Sequence, residues 1–164
     1  MAYKRFEDLP VWNSALDLGV KVYELAKANE FKGQYSLRDQ LERAAVSVSN
    51  NIAEGFERGT NGELLTFLYI ARGSVAEVRS MFHLLNRLPE FSNIESRLSP
   101  LVSLSESISR QLGGWINAVK DSNYQGHRDN TTASRQGDHQ RVRRDAFLEY
   151  LEQVRNGDVS DPIL

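Results

Sequence analysis

The sequence contains no cysteine in its 164 residues. Disulfides, thiolate metal sites and a cysteine nucleophile are therefore excluded, and the composition fits a reducing compartment. No apolar run is long enough to span a bilayer, and the first residues, MAYKRFEDLPVW, lack the apolar stretch of a signal peptide. These absences predict a cytoplasmic protein that does not enter a membrane.

Positive and negative residues are also nearly balanced in number. The formal net charge is -2 and the isoelectric point is about 5.9, whereas a nucleic-acid-binding domain often has an isoelectric point above about 9. The chain as a whole is therefore not an electrostatic match for nucleic acid. A nucleic-acid-binding surface on this chain has to be local.

Catalytic motifs are missing as well. The sequence has no phosphate-binding loop, no dinucleotide-binding fingerprint and no nucleophile elbow. A di-iron helical bundle needs Glu-x-x-His pairs, and none of the three histidines follows a glutamate at that spacing. We therefore expect a non-enzymatic protein without a metal ion or a cofactor.

The chain divides by composition into three parts. Residues 1–121 are periodic and rich in Leu, Val and Ala, which predicts one helical domain. Residues 122–137, SNYQGHRDNTTASRQG, are polar and have no apolar period, so they are predicted to form a linker. Residues 138–164 contain a second periodic segment, which predicts a flexible C-terminal extension with a short amphipathic helix.

Hydrophobic periodicity predicts four helices in residues 1–121. Asp8 is expected to cap the first helix, with Pro10 at its first position. Ser36 is expected to cap the second helix, and Thr60 or Asn61 the third. No segment has the alternation of a strand. Four helices with short connections predict an all-α, antiparallel up-down-up-down four-helix bundle.

Pro100 leaves two possible starts for the fourth helix. The helix begins near residue 92 and kinks at Pro100, or it begins at Ser99 with Pro100 in its first turn. The second start is favoured, because proline removes a hydrogen bond from a helix interior but is tolerated in the first turn.

Apolar residues cover more of the helices than a monomeric bundle needs. The core stripe predicted for the first helix consists of Trp12, Ala15, Leu16, Gly19, Tyr23 and Ala26. Three further residues widen it, namely Leu18, Val22 and Leu25. The apolar residues off the main stripes are Leu18, Leu25, Val46, Leu65, Tyr69 and Met81. Surplus apolar surface usually marks an interface, so these residues predict subunit contacts. The alternative is that they widen the core.

The stretch RAAVSVSNNIAEGFERG, residues 43–59, combines small and polar residues inside the second helix. Small residues let helix backbones approach closely. Buried asparagine side chains need hydrogen-bond partners, because an unpaired buried amide costs about 1–3 kcal/mol. We therefore predict tight packing together with a buried polar network of Asn50, Asn51, Glu54, Arg72 and Glu77.

Three motifs carry a resemblance to a known family. They are FEDLPVWNSALDL near the start, LRDQLERAAVSVSNNIAEGF on the second helix and ELLTFLYIARGSVAEV on the third. The sequence resembles the four-helix-bundle family also called the 23S rRNA intervening-sequence protein family. That family includes the accessory variability determinant (Avd) of diversity-generating retroelements.

The resemblance implies an oligomer, commonly a homopentamer, with no known catalysis. The Avd branch is implied to bind the reverse transcriptase of its retroelement and template RNA through basic surfaces. The leading hypothesis is therefore an oligomeric accessory protein that binds a reverse transcriptase and RNA or DNA, in an Avd-like role in mutagenic homing. Avd-type members tend to be basic, whereas this chain is mildly acidic. The alternative is a protein-interaction scaffold of the intervening-sequence type without nucleic-acid binding.

Recurring basic residues are the candidate phosphate contacts, because arginine offers a planar bidentate donor. The candidates are Lys4, Arg5, Arg38, Arg43, Arg58, Arg72, Arg79, Arg141, Arg143 and Arg144. The alternative for each arginine is an ion pair with a neighbouring Asp or Glu. An oligomer would repeat even one unpaired arginine, so a modest net charge does not exclude binding.

The short helix predicted in residues 138–164 has two interpretations. It is either a solvated amphipathic helix of mixed charge or a tethered helix that binds a partner. In the second hypothesis its apolar face docks in a groove of the partner. That face consists of Phe147, Leu148, Leu151 and Val154.

A third, enzymatic hypothesis is a helical ribonuclease that uses Arg79 and His83. Their spacing is one residue shorter than the usual motif of such enzymes. His83 is instead expected to be a packing residue near the apolar face of the third helix.

Overall fold

The computed structural model describes residues 3–121, which form four α-helices joined by short turns. The helices are α1 (Pro10–Leu25), α2 (Tyr35–Glu57), α3 (Asn61–Leu85) and α4 (Glu95–Asp121). Three turns of 3₁₀-helix precede or join them, at Phe6–Asp8, Asn29–Phe31 and Pro89–Ile94. No strand occurs in the described part of the chain, which confirms the all-α four-helix prediction.

Helices α2 and α3 form the most extensive helix pair and run antiparallel. Near the start of α2, Gln40 Nε2 donates to Glu77 Oε1 at 3.1 Å. Just past the end of α2, the Arg58 guanidinium reaches Glu63 in the first turn of α3. Contacts that move forward along one helix and backward along the other define the antiparallel arrangement.

Helices α3 and α4 also run antiparallel. Arg79 of α3 faces Glu106 of α4, and Tyr69, ten residues earlier, meets Lys120 near the end of α4. Helix α1 contacts both α2 and α4 and so completes the bundle.

The core face of α1 is a regular three-and-four-residue stripe. Its fully buried side chains are Val11, Ala15, Leu18, Val22 and Leu25. The predicted stripe was correct for Ala15 and Ala26, and the residues predicted to widen it, Leu18, Val22 and Leu25, are buried as well. It was wrong for Leu16 and Tyr23, which are 43% and 45% exposed. Trp12 and Gly19 are partly exposed. The helix carries two apolar stripes, and only one of them faces α2 and α4.

The residues predicted to be surplus apolar surface divide into two groups. Leu18, Leu25 and Met81 are buried in the core, so for these three the expected interface role was wrong. Val46 and Leu65 are partly buried, and Tyr69 is 46% exposed.

The capping predictions were correct for α3 only. Thr60 caps α3, and its hydroxyl accepts a hydrogen bond from the Glu63 backbone N–H at 3.3 Å. Leu9 rather than Asp8 precedes α1, because Asp8 belongs to the preceding 3₁₀ turn. Helix α2 begins at Tyr35, so Ser36 lies inside it.

Pro100 lies inside α4, so the favoured start at Ser99 was wrong. The helix begins at Glu95, directly after the 3₁₀ turn that ends at Ile94. Ile94 and Leu98 are almost completely buried, and their burial holds the first turn in place. Burial of such side chains is worth about 1.5–3 kcal/mol each, which offsets the hydrogen bond that proline removes.

Gly55 lies in close contact with α3. A Cβ atom built on Gly55 would lie 2.8 Å from Phe67 Cβ, a distance that a real side chain cannot tolerate without a shift. The predicted tight packing in residues 43–59 is therefore present, and a glycine makes it possible.

Candidate nucleic-acid interface

The arginines of α2 are paired with acids one turn away. Arg38 Nε donates to Glu42 Oε1 at 2.9 Å, and Arg43 lies 3.5 Å from Asp39. Pairs at this spacing are neighbours on a helix surface. The alternative of local ion pairing therefore applies to Arg38 and Arg43.

Arg58 is engaged from several sides. Its guanidinium donates to Glu54 and lies 3.8 Å from Glu63, and it stacks 5.0 Å from the centroid of the Phe67 ring. The hydrogen bond to Glu54 raises the pKa of Arg58 above its ordinary value. This arginine joins the end of α2 to the start of α3 and is a poor candidate for phosphate binding.

The two basic residues at the N-terminus differ from each other. Lys4 is exposed. Arg5 forms two hydrogen bonds to the Glu7 carboxylate, at 2.7 and 3.3 Å. These bonds raise the pKa of Arg5 and lower the pKa of Glu7. Lys4 is thus the more available of the two candidates.

The predicted polar network has a different membership. Asn51 Nδ2 donates to the Ser47 carbonyl at 2.7 Å and to the Ser47 hydroxyl at 3.0 Å. The Ser47 and Ser74 hydroxyls share a hydrogen bond of 2.9 Å across the α2–α3 contact. Two serines and one asparagine therefore link the helices where five larger polar residues were predicted.

The other four predicted members take no part in this network. Asn50 is exposed, because it lies on the side of α2 away from the core. Glu54 binds Arg58 and Glu77 accepts from Gln40. Arg72 lies over α4 instead.

An exposed tyrosine and a lysine meet where α3 and α4 adjoin. Lys120 Nζ lies 5.3 Å from the centroid of the Tyr69 ring. Tyr69 remains 46% exposed, so Lys120 leaves much of the tyrosine accessible. A cation over a tyrosine ring is attracted by its quadrupole, and at an exposed site this attraction is worth about 0.5–1 kcal/mol.

Arg72 lies one turn further along the same side of α3. Its guanidinium rests against α4, since a Cβ built on Gly113 would lie 3.7 Å from Arg72 Cζ. Arg72 is exposed, and within residues 3–121 it has no ion-pair partner. Positions three and four residues on either side of Arg72 hold no acid, unlike those around Arg38 or Arg43.

Arg79 follows two turns later and has one loose acidic contact. Its Nη1 lies 4.0 Å from Glu106 Oε1, with both side chains more than a third exposed. At this distance and exposure an ion pair is worth about 0–1 kcal/mol. Arg79 can therefore leave Glu106 for another anion at little cost.

We call Tyr69, Arg72, Arg79 and Lys120 the basic seam. From Tyr69 to Arg79 it extends about 15 Å along α3, at 1.5 Å per residue. Arg72 and Arg79 were predicted as nucleic-acid contacts, and the fold places them together. Lys120 was not predicted, because its position beside Tyr69 depends on the α3–α4 register.

Several predicted site residues lie outside the residues that the structure describes. These are Arg141, Arg143 and Arg144 and the partner-binding face of Phe147, Leu148, Leu151 and Val154. The predicted linker at 122–137 and the C-terminal extension lie outside them too.

His83 is exposed, so its expected role in packing was wrong. It sits on α3 four residues after Arg79, and its backbone carbonyl accepts a hydrogen bond from Arg87 at 2.8 Å. In the described residues no group of three or more His, Asp or Glu side chains is placed to hold a metal ion.

The second apolar stripe of α1 forms a surface of its own, which we call the α1 face. It consists of Leu16, Val20 and Tyr23, which are 43%, 53% and 45% exposed. A Cβ built on the neighbouring Gly19 would meet nothing within 4 Å. Three large apolar side chains at helical spacing in water are a typical interface feature.

None of the four described helices combines the length and the hydrophobicity needed to cross a bilayer.

The fold and these surfaces define a class: a small antiparallel helical bundle with a local basic surface and an exposed apolar helix face. A sequence-family model described as 23S rRNA-intervening sequence protein matches residues 7–114. Since the match covers more than half of the chain, the protein belongs to this family, and the family predicted from the three motifs is confirmed. No curated protein matched the sequence.

Proposed function

We propose that the protein is a non-catalytic, oligomeric accessory protein that binds nucleic acid through the basic seam. The observation that carries this proposal is the placement of Arg72, Arg79 and Lys120 along the α3–α4 contact with, among the described residues, a single loose ion pair between Arg79 and Glu106. By contrast, the arginines on α2 and at its C-terminal end are bound by acids one turn away. The seam is thus a local cationic surface on a chain of nearly balanced charge.

The charge of the seam suits a phosphate backbone. Arg72 contributes a fork of donors without having to break an ion pair, and Arg79 gives up only a weak one. Three cations neutralise few phosphates, so one chain binds weakly. In a ring of subunits, as the family resemblance implies, the seam would be repeated and the weak sites would add up along one strand.

The test compares two double variants that remove the same charge. Arg72→Ala with Arg79→Ala is expected to weaken binding of a fluorescent RNA, measured by anisotropy, by about tenfold or more. Arg38→Ala with Arg43→Ala is the matched control and should stay within about twofold of the unchanged protein. Equal losses of affinity in both variants would show that RNA binding depends on the net charge of the protein and not on the seam.

The α1 face favours a second candidate function, a protein-interaction scaffold. Leu16, Val20 and Tyr23 offer apolar contact to a second copy of the chain or to another protein. Replacing Leu16 and Val20 with glutamate is expected to reduce the oligomeric state in native mass spectrometry. Tyr35→Glu, at an exposed tyrosine outside this face, is the control. An unchanged oligomer in the first variant would show that the α1 face is not the contact between subunits.

The resemblance to the Avd branch makes a reverse transcriptase the protein partner to test first. We propose that such an enzyme, if encoded beside the gene, co-purifies with the protein in an Avd-like role in mutagenic homing. Co-expression followed by affinity purification measures this directly. Failure of the pair to co-purify would leave the intervening-sequence scaffold as the function.

A further inference from the structure

We infer that the basic seam prefers single-stranded nucleic acid to duplex, with one base stacked on Tyr69. This inference deepens the proposed function and rests on it. The juxtaposition that carries it is an exposed aromatic ring, one cation over that ring and two cations further along the same helix side.

Tyr69 is suitable as a stacking platform. The side chain is 46% exposed although it lies where α3 and α4 adjoin. Lys120 Nζ lies 5.3 Å from the ring centroid, so the base stacks on the part of the ring that Lys120 leaves accessible. Every base has a π-face, so such a platform does not require a particular sequence.

The cations continue from the ring along one line. Arg72 lies one helical turn from Tyr69, and Arg79 lies about 10 Å beyond Arg72 along the axis. A strand with one base on Tyr69 can pass its phosphates over both arginines. Binding sites for single strands commonly combine a cationic track with aromatic rings in this way.

A duplex cannot use the whole seam. Its bases are stacked on each other, and taking one out costs a few kcal/mol. Duplex binding would therefore engage Arg72, Arg79 and Lys120 but leave Tyr69 without a base. The tyrosine is the residue that separates the two substrates.

The experiment measures anisotropy with a labelled single-stranded RNA, the matching single-stranded DNA and a duplex of equal length. Tyr69→Ala is expected to weaken binding of both single strands by about fivefold or more, because each stacked base contributes measurably to affinity. Tyr69→Phe should keep the affinity within about twofold. Duplex affinity and the salt slope should be nearly unchanged, since the cations remain.

Tyr35→Ala is the matched control, because Tyr35 is exposed and lies at the start of α2, outside the seam. It should change none of the three affinities. Circular dichroism and native mass spectrometry of Tyr69→Ala test whether the fold and the oligomeric state are kept.

Any one of four results would overturn the inference. If Tyr69→Ala binds single strands as well as the unchanged protein, or if duplex binds equally tightly, the stacking role is wrong while the proposed function stands. If Tyr69→Ala changes the oligomeric state, the tyrosine is an interface residue. If the unchanged protein binds none of the three probes, the proposed function itself fails.

Discussion

At the scale of single residues, two helical glycines, one in the last turn of α2 and one in the middle of α3, have opposite surroundings. A Cβ on Gly55 would lie 2.8 Å from Phe67 Cβ, whereas a Cβ on Gly73 would meet nothing within 4 Å. Glycine inside a helix costs about 0.5–1 kcal/mol relative to alanine. The same substitution should therefore have opposite effects at the two positions.

We predict that Gly55→Ala destabilises the bundle by about 1–2 kcal/mol, because overpacking outweighs the gain in helix propensity. The clashing atom is attached directly to the α3 backbone, so it cannot rotate away. Gly73→Ala should stabilise the protein by about 0.5–1 kcal/mol. Urea unfolding followed by circular dichroism measures both, and a stabilised Gly55→Ala would show that the helices can move apart.

The adjacent asparagines Asn50 and Asn51 provide a second contrast. Asn51 makes two hydrogen bonds to Ser47, while Asn50 is exposed. Both gain helix propensity when replaced by alanine, so the hydrogen bonds and the partial burial of Asn51 distinguish them.

We predict that Asn51→Ala is less stable than Asn50→Ala by about 1 kcal/mol, the usual net value of such hydrogen bonds. The thermal midpoints of the two variants provide the comparison. Equal midpoints would mean that the hydrogen bonds from Asn51 to Ser47 add no more stability than hydrogen bonds from Asn51 to water.

At the scale of helices, Pro100 interrupts the second turn of α4. Its ring removes one backbone hydrogen bond and clashes with the preceding turn. Buried Ile94 and Leu98 hold the start of the helix in spite of this.

We predict that Pro100→Ala stabilises the protein by about 1–2 kcal/mol. The gain in helix propensity is about 3 kcal/mol at most, and the greater freedom of the unfolded chain takes back about 0.4–1 kcal/mol. Chemical denaturation measures the change. A loss of stability would mean that the local geometry imposed by Pro100 is needed to fit α4 against its neighbours.

The helices were predictable from periodicity, because each has a repeating apolar stripe and turn residues between stripes. The orientation of α1 was not. Val11 and Leu18 lie on one stripe and Leu16 and Tyr23 on another, and both have helical spacing. Choosing between them requires knowing which neighbours pack on α1, and that depends on long-range contacts. The start of α4 was mispredicted for a similar reason. Burial of Leu98 outweighs the preference of Pro100 for the first turn of a helix.

The basic seam was half predictable. Arg72 and Arg79 lack an acid three or four residues away, and Arg38, Arg43 and Arg58 each have one. That contrast is readable in the sequence and separates paired from available arginines. The contribution of Lys120 was not readable, since it comes from another helix.

At the scale of the whole molecule, the seam and the α1 face make a joint prediction. A seam that binds about three phosphates of a single strand gives a salt slope of about -2, from about 0.7 per neutralised phosphate. A short strand reaches one seam only. A strand long enough to reach several subunits should show a slope several times steeper, because each occupied seam releases further counterions.

Breaking the oligomer through the α1 face should abolish that difference. We predict that the Leu16→Glu, Val20→Glu variant binds long and short strands with the same slope of about -2, since its seam is intact but no longer repeated. Anisotropy titrations over a range of salt concentrations, with strands of two lengths, measure the slopes. A steep slope that persists in a monomeric variant would place additional phosphate contacts on the chain itself, outside the seam. Such a result would separate nucleic-acid binding from assembly, which the present proposal couples.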